Sequence, residues 1–449
     1  MSITAILYFA AWLACLGLAI TRAPIFGLYA YVVDFYFHPP SRWWGEDLPD
    51  LRWSLVAAVV TLVATTISPP KTDRPPVMSL APFKLLLAFT LWVWVQSLWA
   101  LDIDEHLRLA ELLSKYLVMF FLIHRLIQDE RDVRSFLAVH VLGCSYLGWL
   151  ILQAPGGEGR LDGLGGPGIG EANALGMQLA TGLFPAAMLF ATGKWWVRVL
   201  VPIGGVLILN GIVQTESRGA FLALLVGGLI FLWFSPAQWR WRWVGLGLLG
   251  LVIMLPRVPD VFWARMQTIT AAVEAPDQAD QSASTRLALV TAQWQMFTRY
   301  PLGSGHRGTV ALSAKYLSEE HLAKDRRSAD PSVKTGRASH NTYLTVLAEH
   351  GAPGVLLFGG LLLWLARASL GLGRSEVVRS DTGTGLAFAS IVACVTTVLV
   401  AGMFRDYIKS EMFIWCVALL AVLQVSVSRS PSSAAATVGG SIVLQPRSG

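Results

Sequence analysis

The chain has 449 residues, 54% of them hydrophobic and only 14% charged, with a mean hydropathy of +0.54. A soluble domain carries about 25% charged residues, and no soluble core of this length takes so much apolar sequence. The net charge of +6 and pI near 9.2 come without a basic stripe or a nucleic-acid module, so nucleic acid is excluded as a partner; basic residues in short loops between apolar runs are the ordinary signature of membrane orientation.

A spanning helix needs about 20 mostly apolar residues, because lipid offers no partner to an unpaired N–H or C=O. Runs of this kind lie near 3–20, 24–38, 53–68, 81–100, 113–127, 135–153, 172–192, 197–213, 219–235, 243–256, 341–366, 385–403 and 411–428. They predict an all-α polytopic transmembrane bundle of about 12–13 spans, with one long, partly helical external loop. The first run lacks a basic n-region and a small-x-small cleavage site, and reads as a retained helix. Cys15, Cys144, Cys394 and Cys416 all fall inside apolar runs, at spacings of neither a metal site nor a disulfide framework.

Lys and Arg set the orientation. Arg22, then Lys71 and Arg74, then Arg125, Arg131 and Arg134, then Lys194 and Arg198, then Arg240 and Arg242, then Arg367, Arg374 and Arg379 occupy alternate loops, which predicts that those loops are cytoplasmic. The complementary loops, 39–52, 101–114, 153–171 and 257–339, then face the periplasm of a bacterial inner membrane. The N-terminus is expected outside and the C-terminus inside. The chain divides into N-terminal transmembrane helices (1–153), central transmembrane helices (154–256), the long periplasmic loop (257–340), C-terminal transmembrane helices (341–428) and a cytoplasmic tail (429–449) whose Ser, Pro and Ala content predicts disorder.

The loop from Arg257 to Ser339 is too long and polar for a connector. Leu287, Leu289, Val290, Trp294 and Phe297 recur at near-helical spacing between Thr285 and Tyr300, predicting an amphipathic helix near the membrane surface. Residues 313–334 are rich in charge and Ser and read as a mobile, solvated stretch.

Three residues stand out chemically. Arg218, in Glu216-Ser217-Arg218-Gly219, lies where an external loop meets an apolar helix; ionisable groups at such depth are functional hypotheses by default, against the bland reading of an interfacial anchor or a pair with Glu216. Arg286 opens the amphipathic segment, where free helix N–H groups and a guanidinium suit an anion; a solvated surface arginine is the alternative. His340 directly precedes the span after the long loop, where an imidazole suits proton transfer from a hydroxyl, against the plain role of a helix cap or polar interface residue.

Other features carry less. Tyr300-Pro301-Leu302-Gly303-Ser304-Gly305-His306 reads as a tight reversal. His340, Glu349 and His350 do not form H-E-x-x-H, so no metal is expected. Asp102, Asp104 and Glu105 beside His106 and Arg108 read as a solvated ion-pair face. No Walker A, Rossmann, nucleophile-elbow or EF-hand pattern is present, so ATP, NAD and serine-hydrolase chemistry lose support.

Three ordered segments, Glu216 to Leu225 (E-S-R-G-A-F-L-A-L-L), Ser284 to Gly305 with its Pro-Leu-Gly-x-Gly ending, and His340 to Gly354 (H-N-T-Y-L-T-V-L-A-E-H-G-A-P-G), resemble the O-antigen ligase and polymerase superfamily of bacterial inner-membrane glycosyltransferases. Thr21 to Gly27, His38 to Arg42 and Gly168 to Leu183 are similar to its exosortase-associated O-glycosylation ligase subgroup, although Asn173 stands between Ala172 and Ala174 where that subgroup tends to have paired asparagines. The resemblance implies transfer of a glycan from an undecaprenyl-diphosphate carrier to a hydroxyl acceptor (lipid A core, polysaccharide or protein) at the periplasmic face, with membrane lipid around it and without cofactor, nucleotide or metal. It implies Arg218 and Arg286 as diphosphate ligands, assisted by Arg405, and His340 as general base, with inversion at the anomeric carbon. A polymerase of the same superfamily is the alternative. A polysaccharide or lipid transporter is a further one, disfavoured by the long loop and by the lack of a repeat with broken helices.

Overall fold

The computed structural model describes residues 2–69, 74–154, 161, 163–258, 281–324 and 334–429. The N-terminal helices are α1 (Ile3–Thr21), α2 (Ile25–Phe37), α3 (Trp53–Ile67), α4 (Ala81–Gln96), α5 (Ile103–Leu126) and α6 (Glu130–Gln153). The central ones are α7 (Ala172–Thr192), α8 (Trp195–Gln214), α9 (Arg218–Phe234) and α10 (Ala237–Met254). The long loop contributes α11 (Gln281–Arg299) and α12 (Gly308–Tyr316), and the chain ends with α13 (Thr342–Arg374), α14 (Glu376–Ser380), α15 (Thr382–Ala401) and α16 (Glu411–Ser428). The fold is an all-α polytopic bundle, its only described β-structure a two-residue antiparallel bridge, Ala323–Lys324 with Lys334–Thr335.

Every apolar run coincides with a helix. Among the described residues α1, α6, α7, α8, α13, α15 and α16 are long and apolar enough to cross a membrane, and α3, α4 and α9 are shorter apolar helices. The fifth run begins ten residues into α5. That helix starts earlier because Asp102 accepts the Glu105 N–H at 3.3 Å, with Asp104 and Glu105 in the first turn complementing the helix dipole. Charge there interrupts the apolar pattern without interrupting the helix.

Helices α7 and α15 form the centre of the bundle, each 78% buried over its apolar window, whereas α8 is 17% buried and peripheral. Hydroxyl and thiol groups bond directly between helices: Cys394 donates to the Thr181 carbonyl at 3.1 Å and Ser390 to the Phe184 carbonyl at 3.1 Å. All four cysteines are unpaired, and Cys144, Cys394 and Cys416 are buried as small core residues. Large apolar side chains such as Leu229 and Val199 stay exposed on the rim, as a lipid-facing surface requires.

Alternate loops gather at opposite ends. At one end Arg74 donates to the Gln128 carbonyl at 2.5 Å and to Ser426 Oγ at 3.1 Å, uniting two of the basic loops with the end of α16. At the other, Arg42 donates to the Leu164 carbonyl at 2.7 Å, Leu101 N–H to the Ser304 carbonyl at 3.1 Å and Thr342 N–H to the Gly402 carbonyl at 2.7 Å. The grouping is the one the Lys and Arg pattern demands.

The long loop is anchored in a break of α13. Gly351 (φ 65°, ψ −165°) interrupts that helix and Pro353 lacks an N–H, so the carbonyls before the break lose their ordinary partners. The turn after α11 replaces them. Ser304 N–H donates to the Ala348 carbonyl at 3.2 Å and Gly305 N–H to the Glu349 carbonyl at 2.9 Å, while Ala352 N–H donates back to the Pro301 carbonyl at 2.8 Å. Trp92 Nε1 donates to the His350 carbonyl at 2.8 Å and Gln96 Nε2 to the Leu302 carbonyl at 2.9 Å, which ties α4 to the same knot. A Cβ on Gly351 would overlap the Leu302–Gly303 peptide, so only glycine permits both the left-handed turn and the approach.

Two expectations need correction here. His106 is not on a solvated face: it is fully buried, its Nδ1 accepts the His306 N–H at 2.8 Å and its Nε2 lies 2.7 Å from the Val93 carbonyl, and only Glu105 and Arg108 make the expected exposed ion pair. Nor is the whole of 313–334 a loose stretch. Ser313 is buried in α12, and Leu317 packs with Leu289, Ala292 and Met296 of α11, an apolar anchor that a count of charges hides. Residues 325–333, and 430–449 of the tail, lie outside the described residues.

Candidate functional site

The turn Gly402 to Ser410, between α15 and α16, is the hub on which the site is built. Thr342 Oγ1 donates to the Arg405 carbonyl at 3.0 Å and accepts the Tyr407 N–H at 2.8 Å, and Asn341 Nδ2 donates to the Met403 carbonyl at 3.3 Å. Tyr407 Oη donates to the Asn173 carbonyl at 3.0 Å, and Arg405 forms an ion pair with Glu171 at the start of α7. The N-termini of α7 and α13 therefore meet at one turn.

His340 sits one residue before the α13 cap. The capping itself is done by Asn341, whose Oδ1 accepts the N–H groups of Tyr343 at 2.9 Å and Leu344 at 3.1 Å. That removes the bland explanation of the histidine as a cap. Burial first, and then the guanidinium charges of Arg286, Arg337 and Arg405, push the His340 imidazole down to about 4, opposed by the carboxylate of Glu171. At neutral pH the ring is an unprotonated base surrounded by cations.

Arg286 reaches this neighbourhood through α11. Gln293, seven residues along and so on the same face, accepts from Ser339 Oγ at 3.2 Å, next to His340. Leu289, Ala292 and Met296 hold that helix against Ala348 of α13, while Leu287, Val290 and Trp294 face outward. The expected amphipathic helix is present, one face seated on the protein and a second apolar face exposed.

Arg218 opens α9, whose cap is Ser217 accepting the Ala220 N–H at 3.2 Å. The turn before it is tight: Glu216 has φ 48°, and Gly176 of α7 lets Thr215 and Ser217 come close enough that a Cβ there would lie 2.7 Å from Thr215 Oγ1. Gly219 lies against Phe404, one residue before Arg405. Arg218 thus starts its helix beside the same hub, and the structure brings together the starts of α7, α9 and α13 with Arg405, while Arg286 and Arg405 both act on the His340 imidazole.

Several partners carry no signal in the sequence. Arg337 and Glu171 act on His340 but sit in segments whose composition says only loop. Glu349 is fully sequestered, its carboxylate accepting from His306 Nδ1 at 3.0 Å, Arg307 N–H at 2.9 Å and Thr309 N–H at 3.3 Å. His306, Glu349 and His350 offer donor atoms within 4.8 Å of one another, close enough to suggest a metal cluster. The carboxylate is already engaged by two backbone N–H groups and His306 Nδ1, and His350 Nδ1 bonds Gln96 Oε1 at 2.8 Å, contacts that clasp the loop, while His306 Nε2 and His350 Nε2 stay buried without a hydrogen-bond partner among the described residues.

Chemically, a half-buried neutral imidazole among guanidinium groups can take a proton from a neutral nucleophile while the arginines hold an anion. Residues 203–359 match a family model described as O-antigen ligase. The match runs from α8 to the middle of α13 and includes Arg218, Arg286, His340 and Glu349. No curated protein matches the chain.

Proposed function

From membership in the O-antigen ligase superfamily, which the match over residues 203–359 supports, we propose that this protein transfers a glycan from an undecaprenyl-diphosphate carrier to a hydroxyl acceptor at the periplasmic face of a bacterial inner membrane. The family supports a glycan-transferring enzyme of ligase or polymerase type. The observation that carries the finer reading is His340, held neutral beside Arg286, Arg337 and Arg405.

In this reading the acceptor hydroxyl loses its proton to His340 as its oxygen attacks the anomeric carbon. The bond from that carbon to the diphosphate oxygen breaks, and its electron pair stays on the carrier diphosphate. Direct displacement inverts the configuration. Arg218 and Arg286 meet the charge growing on the leaving oxygen, and Arg405 assists. Because the leaving group is a stabilised anion, no protein acid has to protonate it.

Arg218→Ala and Arg286→Ala are each expected to lose about 1.5–3 kcal/mol of leaving-group stabilisation, the worth of a hydrogen bond to a charged group, seen as a lower kcat with a defined lipid-linked donor. Unchanged kcat in both would remove the diphosphate assignment. The pH profile follows from the base. Protonation of His340 abolishes activity, so kcat/KM, which reports the free enzyme, is expected to rise with pH through about 4 and stay flat to neutrality. Bound diphosphate offsets the arginine charges and stabilises the imidazolium, so the acid limb of kcat is expected at higher pH than that of kcat/KM. An acid limb that persists unchanged in the residual activity of His340→Ala, or limbs of kcat and kcat/KM in the reverse order, contradicts the assignment.

The acceptor decides between ligase and polymerase. Incubation with the lipid-linked donor alone gives a ladder of products for a polymerase and none for a ligase.

A further inference from the structure

We propose that Glu171 and the donor's diphosphate compete for Arg405, the carboxylate holding the guanidinium in place and giving it up as the donor binds. The inference rests on the reading of Arg405 as a diphosphate contact. It also makes Glu171 a selectivity element, since a ligand must carry more anionic oxygens than one carboxylate to displace it.

Glu171 is the cap residue of α7, where a carboxylate would ordinarily bond the free N–H groups of the first turn. Its side chain makes no capping bond. It pairs instead with Arg405 of the hub turn, 234 positions away in sequence. The two sides of the pair differ in exposure: the Glu171 side chain is 63% exposed and that of Arg405 is 23% exposed. The carboxylate can therefore swing into solvent while the guanidinium stays seated. An exposed carboxylate is a weak, salt-screened partner, whereas a diphosphate offers several charged oxygens to the planar guanidinium fork. Both members also act on His340 with opposite signs. An exchange at Arg405 is thus felt at the base.

The test is calorimetric binding of inorganic pyrophosphate to the purified full chain, alongside transfer kinetics. Glu171→Gln removes the competing charge at an exposed position and is expected to tighten pyrophosphate about two- to fivefold, the worth of one exposed pair. Glu171→Asp is expected to fall between it and the wild type. In an Arg405→Ala background Glu171→Gln is expected to bring no further gain. Removing the charge that raises the imidazole also shifts the acid limb of kcat/KM to lower pH. Equal or weaker pyrophosphate binding by Glu171→Gln overturns the inference, because a carboxylate that merely positioned Arg405 for its ligand would weaken binding when lost. No binding to any form overturns it as well. A gain in binding with no glycan transfer by the wild type would sink the proposed function while leaving the competition at Arg405 intact.

Discussion

His340→Ala is expected to lower glycan transfer by about 10²–10⁴-fold, the usual contribution of a positioned general base. The loss should appear in kcat, since the ring is assigned no contact with the donor diphosphate. The helix start should survive the change. Asn341 caps α13 through Tyr343 and Leu344, and Thr342 ties it to Gly402 and Arg405, none of which involves the imidazole. The variant is therefore expected to insert and to unfold at the wild-type temperature while losing turnover, and near-full transfer by it would remove the base from the mechanism.

Glu349→Ala is expected to damage the protein in a different way. The carboxylate is buried and accepts from His306 Nδ1 and from the N–H groups of Arg307 and Thr309, so deletion leaves three donors without their acceptor. Removing one partner from a buried charged cluster costs about 3–5 kcal/mol. The cost falls on the docking of the long loop into the break of α13, and with it on the placement of α11 and Arg286. Limited proteolysis is expected to cut near Tyr300 to Arg307 in the variant and to spare that turn in the wild type, with transfer falling in parallel. Glu349→Gln keeps one oxygen for the amides and is expected to be milder. Equal protease resistance of Glu349→Ala and wild type would show that the clasp does not hold the loop.

The helical bundle was legible in the sequence because apolar period and run length follow directly from the demands of a bilayer on backbone hydrogen bonding. Each predicted run became a helix, including the short ones at α2, α5 and α10. The alternation of Lys and Arg foretold which loops share an end. His340, Arg286 and Arg405 could be nominated as site candidates from the sequence, the first two from their position at helix starts beside a long loop and the third from family resemblance. What the sequence hid was pairing across distance. Glu349 enters the sequence reading only as part of a metal pattern that fails, since nothing in H-N-T-Y-L-T-V-L-A-E-H-G announces that its carboxylate closes on the amides of Arg307 and Thr309. His106 looked solvated because its neighbours Glu105 and Arg108 are, although a helix turns successive residues to different faces and one of those faces met the His306 amide. Glu171 and Arg337 sit in polar stretches where composition gives no hint of a partner. The stretch from His38 to Arg42, similar to one subgroup, also has a structural role. Arg42 bonds the carbonyls of Phe37 and Leu164 at 2.8 Å and 2.7 Å, pinning the loop that leads to Glu171.

In the proposed reading the hub around Arg405 and His340 makes a glycosidic bond from a lipid-linked donor. Purified protein in liposomes, supplied with a defined undecaprenyl-diphosphate glycan and a hydroxyl acceptor, tests it by mass analysis of acceptor and carrier together. The expected result is a glycosylated acceptor of inverted anomeric configuration, matched mole for mole by released undecaprenyl diphosphate and lost in His340→Ala. Movement of the intact donor across the bilayer with no new glycosidic bond would contradict the enzyme and favour a transporter.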